Sequence, residues 1–173
     1  MQDHPSSAHH EALTRIATEM RGDTDPLRAM EHAVRILKEG LPGYTWVGIY
    51  LVEGDDLVLG PFLGKPSPHT RIPMGSGICG AAAAARQTIV VDDVNADPRY
   101  LACSLETRSE IVVPIMDAGR VLGEIDIDSD QPAAFGVSDT RLVEAVAALL
   151  APRLAALKTR AAKPSNSEPG KIS

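Results

Sequence analysis

Three carboxylates in the second half of the chain are candidates for joint action on a cation or a proton. Asp126 and Asp128 alternate with two isoleucines, so in a strand both acids point to one face. Glu110 opens the preceding strand, and a tight hairpin would place it roughly opposite them. Such a cluster could hold a divalent metal or the ammonium group of an amino acid, and like charges would keep a proton available for general-acid chemistry. The simpler alternative is a solvent-exposed strand face.

The two cysteines lie where a reactive thiol could operate. Cys79 is at a predicted helix start, where unpaired N–H groups favour a thiolate, and Gly77 and Gly80 leave room for a substrate. Cys103 lies in a long irregular stretch before Glu110, a position suited to approach both a ligand and a second cysteine. A buried, inert thiol is the alternative for either. Without a CxxC pair, a zinc knuckle is not expected.

An aromatic pair is predicted on the first strand. Trp46 and Tyr50 share one face with Gly48 between them, which could form an aromatic wall with a gap for a ligand. Core packing is the alternative for such a pair. His69, in a loop rich in proline, is interpreted as a surface histidine.

The elements that must position these residues begin with two helices. Apolar residues at helical spacing predict a first helix that stops at Gly22. Asp25 as cap and Pro26 in the first turn predict a second helix, which ends at Gly40. A short alanine-rich helix is predicted from near Cys79.

Runs of β-branched and aromatic residues between turn signals predict the strands. These strands are 44–52, 57–63, 88–91, 111–116 and 121–128. The proline- and glycine-rich segment 64–77 is interpreted as a loop over the sheet, in which 71–74 could form a short strand. The long irregular stretch 92–109 is a candidate functional loop.

A closing helix completes the order of elements. Ser138 is predicted to cap it, and Pro152 to kink it before it ends near Lys158. Since there is no βαβ alternation, we expect a mixed α/β (α+β) fold, with a central antiparallel sheet flanked by N- and C-terminal helices. The predicted single domain spans 8–158, and 159–173 form a disordered polar tail.

Composition and charge exclude several classes of function. The chain has 173 residues, enough for one core, and its 17 basic and 23 acidic residues give a net charge of −6. It has no basic cluster, so nucleic acid is not an expected partner. The most apolar stretch, 142–157, is too short and too charged to cross a membrane. Residues 1–10 lack the features of a secretory signal, so we expect a cytoplasmic protein with reduced thiols.

Eight short blocks form an ordered set over roughly half of the chain. They are residues 46–51 (WVGIYL), 59–62 (LGPF), 64–66 (GKP), 71–73 (RIP), 77–80 (GICG), 102–103 (AC), 109–114 (SEIVVP) and 125–129 (IDIDS). In these blocks, and in the spacing of Cys79, Cys103 and Glu110, the chain resembles the GAF-domain free methionine-(R)-sulfoxide reductases. The resemblance implies a GAF fold and reduction of free L-methionine-(R)-sulfoxide to methionine.

The resemblance also implies roles for individual residues. Cys103 would be the thiolate that attacks the sulfoxide sulfur, and Cys79 the resolving thiol that captures the sulfenic acid as a Cys79–Cys103 disulfide. The three acids would hold the substrate ammonium and protonate the sulfoxide oxygen, and the two aromatic residues would enclose the methylsulfinyl end. These substrate-binding residues are Glu110, Asp126, Asp128, Trp46 and Tyr50.

No bound cofactor is implied by this resemblance. Electrons would come from thioredoxin, which is itself reduced by NADPH through thioredoxin reductase, and a homodimer through the terminal helices is expected. Many members carry a third cysteine where this chain has His69, so recycling would rely on Cys79. The segment 97–104 is partly similar to the same loop in ordinary GAF sensor domains.

Two other functions compete with the reductase. One is a stand-alone GAF module that binds a small molecule or senses redox state through its thiols. The other is a divalent-metal site at Glu110, Asp126 and Asp128. The joint occurrence of both cysteines and all three acids favours the reductase, because a GAF sensor does not require this combination.

Overall fold

The computed structural model describes residues 6–22, 25–102 and 104–161. Its strands form one antiparallel sheet in the order β3-β2-β1-β6-β5-β4, so the predicted α/β (α+β) fold with a central antiparallel sheet is confirmed. The elements are α1 (Ser7–Met20), α2 (Pro26–Gly40), β1 (Trp46–Glu53), β2 (Asp56–Leu63), β3 (Arg71–Pro73), α3 (Gly77–Ala85), β4 (Ile89–Val91), β5 (Ser109–Asp117), β6 (Arg120–Ser129) and α4 (Val137–Ala161).

Helices α1 and α2 start at side chains that satisfy free backbone N–H groups. The Ser6 hydroxyl accepts a hydrogen bond from the His9 N–H at 3.4 Å. The Asp25 carboxylate accepts one from the Leu27 N–H at 3.2 Å, and Pro26 occupies the first turn, as predicted. Each cap contributes roughly 1 kcal/mol to the stability of its helix.

One face of the sheet packs against α2 and α4, and α1 packs in turn against these two helices. Together they form the larger part of the core. Alternation along β1, β5 and β6 directs every second side chain to this face, and each fully buried aliphatic side chain contributes about 1.5–3 kcal/mol. The strand residues on this face are Val47, Ile49, Ile111, Val113, Ile125 and Ile127.

The opposite face packs against α3 in a smaller apolar cluster. Ile78 and Ala82 of the helix share this cluster with Tyr50, Leu57 and Val112 of the sheet. The helix covers only part of the face, because it has nine residues. A pocket lies at the end of this face that carries Asp126 and Asp128.

Helix α4 differs from the prediction at its start. It begins at Val137, so Ser138 lies in the first turn and does not cap the helix. The Asp139 carboxylate instead accepts a hydrogen bond from the Gly136 N–H at 2.9 Å. Asp139 is the third residue of the helix, and its carboxylate bonds back to the residue that precedes the helix, as the acidic residue of a capping box does.

The second half of α4 also extends further than predicted. The helix continues through Pro152 to Ala161, past the predicted end at Lys158. The rest of the predicted tail, 162–173, lies outside the described residues. Across the described part of the chain, no helix is both long and apolar enough to cross a membrane.

Candidate active site

Strand β6 carries three acids on one face, and that face is buried. Glu124, Asp126 and Asp128 are 0%, 3% and 5% exposed. Glu110 of β5 pairs directly with Asp128 and is itself buried, so the predicted placement of Glu110 opposite these acids is confirmed. A solvent-exposed strand face, the simpler alternative, is excluded.

The thiol of Cys79 points into this acidic cluster. Its sulfur donates toward Asp126 Oδ2 at 3.4 Å and lies 3.8 Å from Glu110 Oε1. Burial raises the pKa of the Cys79 thiol well above its usual value, and the charges of Asp126, Glu124 and Glu110 raise it further. The predicted thiolate at the helix start is therefore wrong. A helix N-terminus contributes only about 0.3–1 kcal/mol, which burial among carboxylates outweighs.

The glycines around Cys79 serve packing. A Cβ on Gly80 would lie 2.7 Å from the Pro73 carbonyl oxygen, and one on Gly77 would lie 2.9 Å from the Leu101 side chain. The expectation that these glycines leave room for a substrate is wrong, because neighbouring protein atoms already occupy that space.

Burial makes the carboxylates of the cluster difficult to ionise. It raises the pKa of Asp126 to about 6, although the Glu110 carboxyl and the Cys79 thiol stabilise the ionised form. Burial, followed by the charge of Asp126, raises the pKa of Glu110, Glu124 and Asp128 well above the ordinary range. Asp126 is thus the first acid of the cluster to ionise, and the others retain protons that chemistry can use.

These raised pKa values predict that the ligand-free protein loses stability as pH rises. An acid whose pKa is higher in the folded state binds its proton more tightly there, so the folded state is favoured at low pH. For Asp126 this contribution is complete below about pH 4, its unfolded pKa, and is lost as pH rises through about 6. Urea unfolding at a series of pH values between about 5 and about 8 measures how the free energy of unfolding changes with pH.

A matched pair of variants tests this origin of the slope. Asp126→Asn should reduce the dependence of the unfolding free energy on pH, most clearly below about pH 6, because the amide cannot ionise and the charge of Asp126 no longer raises the pKa of Glu110, Glu124 and Asp128. Asp55→Asn, the same change at an exposed turn residue, should leave the slope intact. Equal slopes in the two variants would contradict the assignment to Asp126.

A pocket of about 150 Å³ opens beside the cluster. It is smaller than the roughly 300–1,000 Å³ pockets that hold drug-sized ligands, so it suits a molecule of amino-acid size. Lys65 Nζ and Glu106 Oε2 form an ion pair at 2.6 Å between the two loops beside it. The lining residues are Thr45, Trp46, Lys65, Ser67, Ser104, Glu106, Thr107, Asp126, Asp128 and Asp130.

The aromatic pair lies on one face as predicted, but the two side chains differ in access. Trp46 lines the pocket, and its ring covers Gly48 so closely that a Cβ there would lie 2.2 Å away. The predicted gap for a ligand is therefore filled by the Trp46 ring. Tyr50 is buried behind Trp46, with the two ring centroids 6.5 Å apart, and its hydroxyl donates to the His69 carbonyl oxygen at 2.8 Å.

His69 lies in a loop, where its ring contacts the Ala102 carbonyl oxygen at 3.2 Å.

Not every residue of the site was identified from the sequence. Glu124 was missed, although the alternation that revealed Asp126 and Asp128 extends one step back to it. Lys65 belongs to the block 64–66 that carries the resemblance, but it received no role because a lysine in a polar loop does not by itself indicate a site. Cys103 lies outside the described residues, so its role stays a prediction.

One group in the site has the composition of a metal ligand set. Among the described residues, the ligand atoms of Cys79, Glu110 and Asp126 lie within 4.8 Å of one another. This set includes the thiol and omits Asp128, so it differs from the all-carboxylate set considered from the sequence.

Comparison with known proteins gives matches over most of the chain. A family model described as "GAF domain" matches residues 25–154. Protein YtsP of Bacillus subtilis (strain 168) is 37% identical over 145 residues, which cover 83% of this chain and 88% of the relative. The free methionine-R-sulfoxide reductase of Escherichia coli (strain K12) is 41% identical over 110 residues, covering 64% of this chain and 66% of the relative. The X-ray structure of free methionine-R-sulfoxide reductase from Neisseria meningitidis, in complex with its substrate, is similar with a TM-score of 0.82 at 40% identity, covering 88% of this chain and 91% of that one.

Proposed function

Because this chain belongs to the GAF-domain family of free methionine-(R)-sulfoxide reductases, we propose that it reduces free L-methionine-(R)-sulfoxide to methionine. The observation that carries the proposal is the buried cluster of one thiol and several carboxyls beside a pocket of amino-acid size. Such a cluster supplies a negative charge for an ammonium group and protons for a sulfoxide oxygen.

The substrate would be oriented by its two charged ends. Asp126, once ionised, pairs with the ammonium group, assisted by Asp128 and Glu110. Trp46 covers the methylsulfinyl end, and Tyr50 packs behind Trp46 and holds its ring in place. The substrate carboxylate requires a positive charge, and Lys65 is the basic side chain that lines the pocket.

Reduction would start at Cys103. Its thiolate attacks the sulfoxide sulfur while the Glu110 carboxyl gives a proton to the sulfoxide oxygen. The attack forms a bond between the two sulfur atoms. The oxygen then passes from the substrate sulfur to the Cys103 sulfur as that bond breaks, so methionine leaves and Cys103 becomes a sulfenic acid. The proton that Cys103 lost on ionisation then restores Glu110.

Cys79 would resolve the sulfenic acid. Asp126 Oδ2, 3.4 Å from the Cys79 sulfur, accepts the thiol proton. The resulting thiolate attacks Cys103, forms a Cys79–Cys103 disulfide and expels the hydroxyl, which leaves as water with the proton from Asp126. Thioredoxin then reduces the disulfide in the cytoplasm, with NADPH and thioredoxin reductase as its source of electrons. We propose a homodimer with no bound cofactor for this cycle.

Replacing Lys65 by methionine is expected to raise KM for methionine sulfoxide about tenfold, with little change in kcat. The reason is that Lys65 contacts the carboxylate equally in the ground and transition states. Steady-state kinetics measures the effect. Glu106→Gln is the matched control: it removes the ion-pair partner of Lys65 and should lower KM or leave it unchanged. A higher KM in both variants would show that the ion pair, not the free ammonium group, is required.

The decisive experiment is an assay of the purified protein with thioredoxin, thioredoxin reductase and NADPH, in which the R and S epimers are tested separately. NADPH consumption with the R epimer alone would support the proposal. A lack of turnover with both epimers would favour the alternative, a stand-alone GAF module that binds a small molecule or senses redox state.

A further inference from the structure

Three ligand atoms in the acidic cluster already approach a metal-binding arrangement. A tetrahedral zinc ion with bonds of about 2.3 Å to sulfur and about 2.0 Å to oxygen needs a sulfur–oxygen separation of about 3.5 Å. The Cys79 sulfur lies 3.4 Å from Asp126 Oδ2 and 3.8 Å from Glu110 Oε1, on either side of that value. All three ligand atoms lie within 4.8 Å of one another.

Two acids of the cluster have oxygens that no other group satisfies. Asp126 Oδ1 and both carboxylate oxygens of Glu124 have no hydrogen-bond partner among the described residues. A buried polar atom in this state costs about 1–3 kcal/mol. Glu124 is 0% exposed, lies on the same face of β6 as Asp126, and acts electrostatically on the Cys79 thiol. A cation bound to Asp126 would give its Oδ1 a partner and would place a positive charge near Glu124.

We propose that Cys79, Glu110 and Asp126 bind a divalent cation of the zinc class, with the buried Glu124 adding negative charge beside the site. One thiolate with carboxylates suits Zn²⁺, which accepts sulfur and oxygen ligands, whereas Mg²⁺ and Ca²⁺ prefer oxygen alone. The cation enters through the pocket, because Asp126 lines its wall. Binding displaces the thiol proton and the carboxyl protons, which pass to solvent.

The cation and the substrate would exclude each other, a consequence that rests on the proposed function. Asp126 and Glu110 cannot ligate a metal and hold an ammonium group together. Methionine-(R)-sulfoxide should therefore lower the apparent affinity of the reduced protein for the cation. Cation binding without this competition would count against the proposed substrate position and would still support the metal site.

Anaerobic titration of the reduced full-length protein with Co²⁺ tests the site independently of turnover. We expect one Co²⁺ per chain with a thiolate-to-cobalt charge-transfer band in the near ultraviolet, displaced on addition of Zn²⁺. Asp126→Asn and Glu124→Gln should each weaken binding by about tenfold or more. Absence of the band at millimolar Co²⁺ would overturn the proposal.

The two cysteine variants form a matched pair for this titration. Cys79→Ser should abolish the band, and Cys103→Ser should retain it, with circular dichroism used to verify that both variants fold. Persistence of the band in Cys79→Ser, or its loss in Cys103→Ser, would overturn the assignment because the sulfur ligand would then be the other thiol.

Discussion

Replacing Cys103 by serine is expected to abolish turnover of free methionine-(R)-sulfoxide. A hydroxyl is not ionised at neutral pH and cannot form a sulfenic acid, so the attack on sulfur and the transfer of oxygen are both lost. We expect the rate to fall roughly 10⁴-fold or more, as when other enzymes lose their nucleophile. The measurement is NADPH consumption with thioredoxin and the R epimer.

Cys79→Ser is the informative partner of this variant. It retains the attacking thiol and loses the resolving one, so it should release one methionine per chain in a single turnover and then stop. Rapid-quench detection of methionine distinguishes the two variants, because Cys79→Ser should release one methionine per chain and Cys103→Ser should release none. Turnover by Cys103→Ser at the wild-type rate would transfer the role of nucleophile to Cys79 or refute the proposed chemistry.

The second large effect is expected for Asp126→Asn, which should raise KM for the substrate about 10²- to 10³-fold. Removing one member of a buried charge pair costs about 2–5 kcal/mol, since the partner charge is then desolvated without compensation. The amide keeps the shape of the side chain, so the pocket should be preserved. Kinetics with both substrate epimers and calorimetric titration of methionine sulfoxide into the inactive Cys103→Ser background provide two separate measurements.

Loss of binding in Asp126→Asn must be separated from loss of folding. The variant should unfold at a higher urea concentration than the wild type near neutral pH, because it no longer ionises a buried acid. Asp55→Asn, at the exposed turn between β1 and β2, should change neither KM nor stability. A normal KM together with a strongly reduced kcat would instead show that Asp126 acts chiefly as the base that accepts the proton of the Cys79 thiol.

Most of the fold and the acidic half of the site could be predicted from strand periodicity. The two-residue alternation of Asp126 and Asp128 with isoleucines defined both faces of β6, and the hairpin register brought Glu110 to them. The state of the Cys79 thiol could not be predicted this way. Its pKa depends on burial and on three carboxylates contributed by other elements, none of which is local to the helix start.

Steric contacts formed a second limit to prediction. Gly48 was interpreted as an opening between two aromatic residues, whereas the Trp46 ring covers it. A side chain's rotamer depends on tertiary neighbours, so periodicity identifies the face of a strand without identifying what fills it. The same applies to Lys65, which becomes a site residue only because its loop folds over the pocket.

The two faces of the sheet tolerate different kinds of substitution. Substitutions at Ile125 or Ile127 disturb the core between the sheet and the helices, whereas those at Asp126 or Asp128 alter the pocket and leave that core in place. Residues that are neighbours in the chain can therefore change at different rates during descent. The residues that line the pocket could therefore change stepwise to bind another ligand while the core on the helical face stays the same. Such a scaffold is well suited to acquiring new specificities.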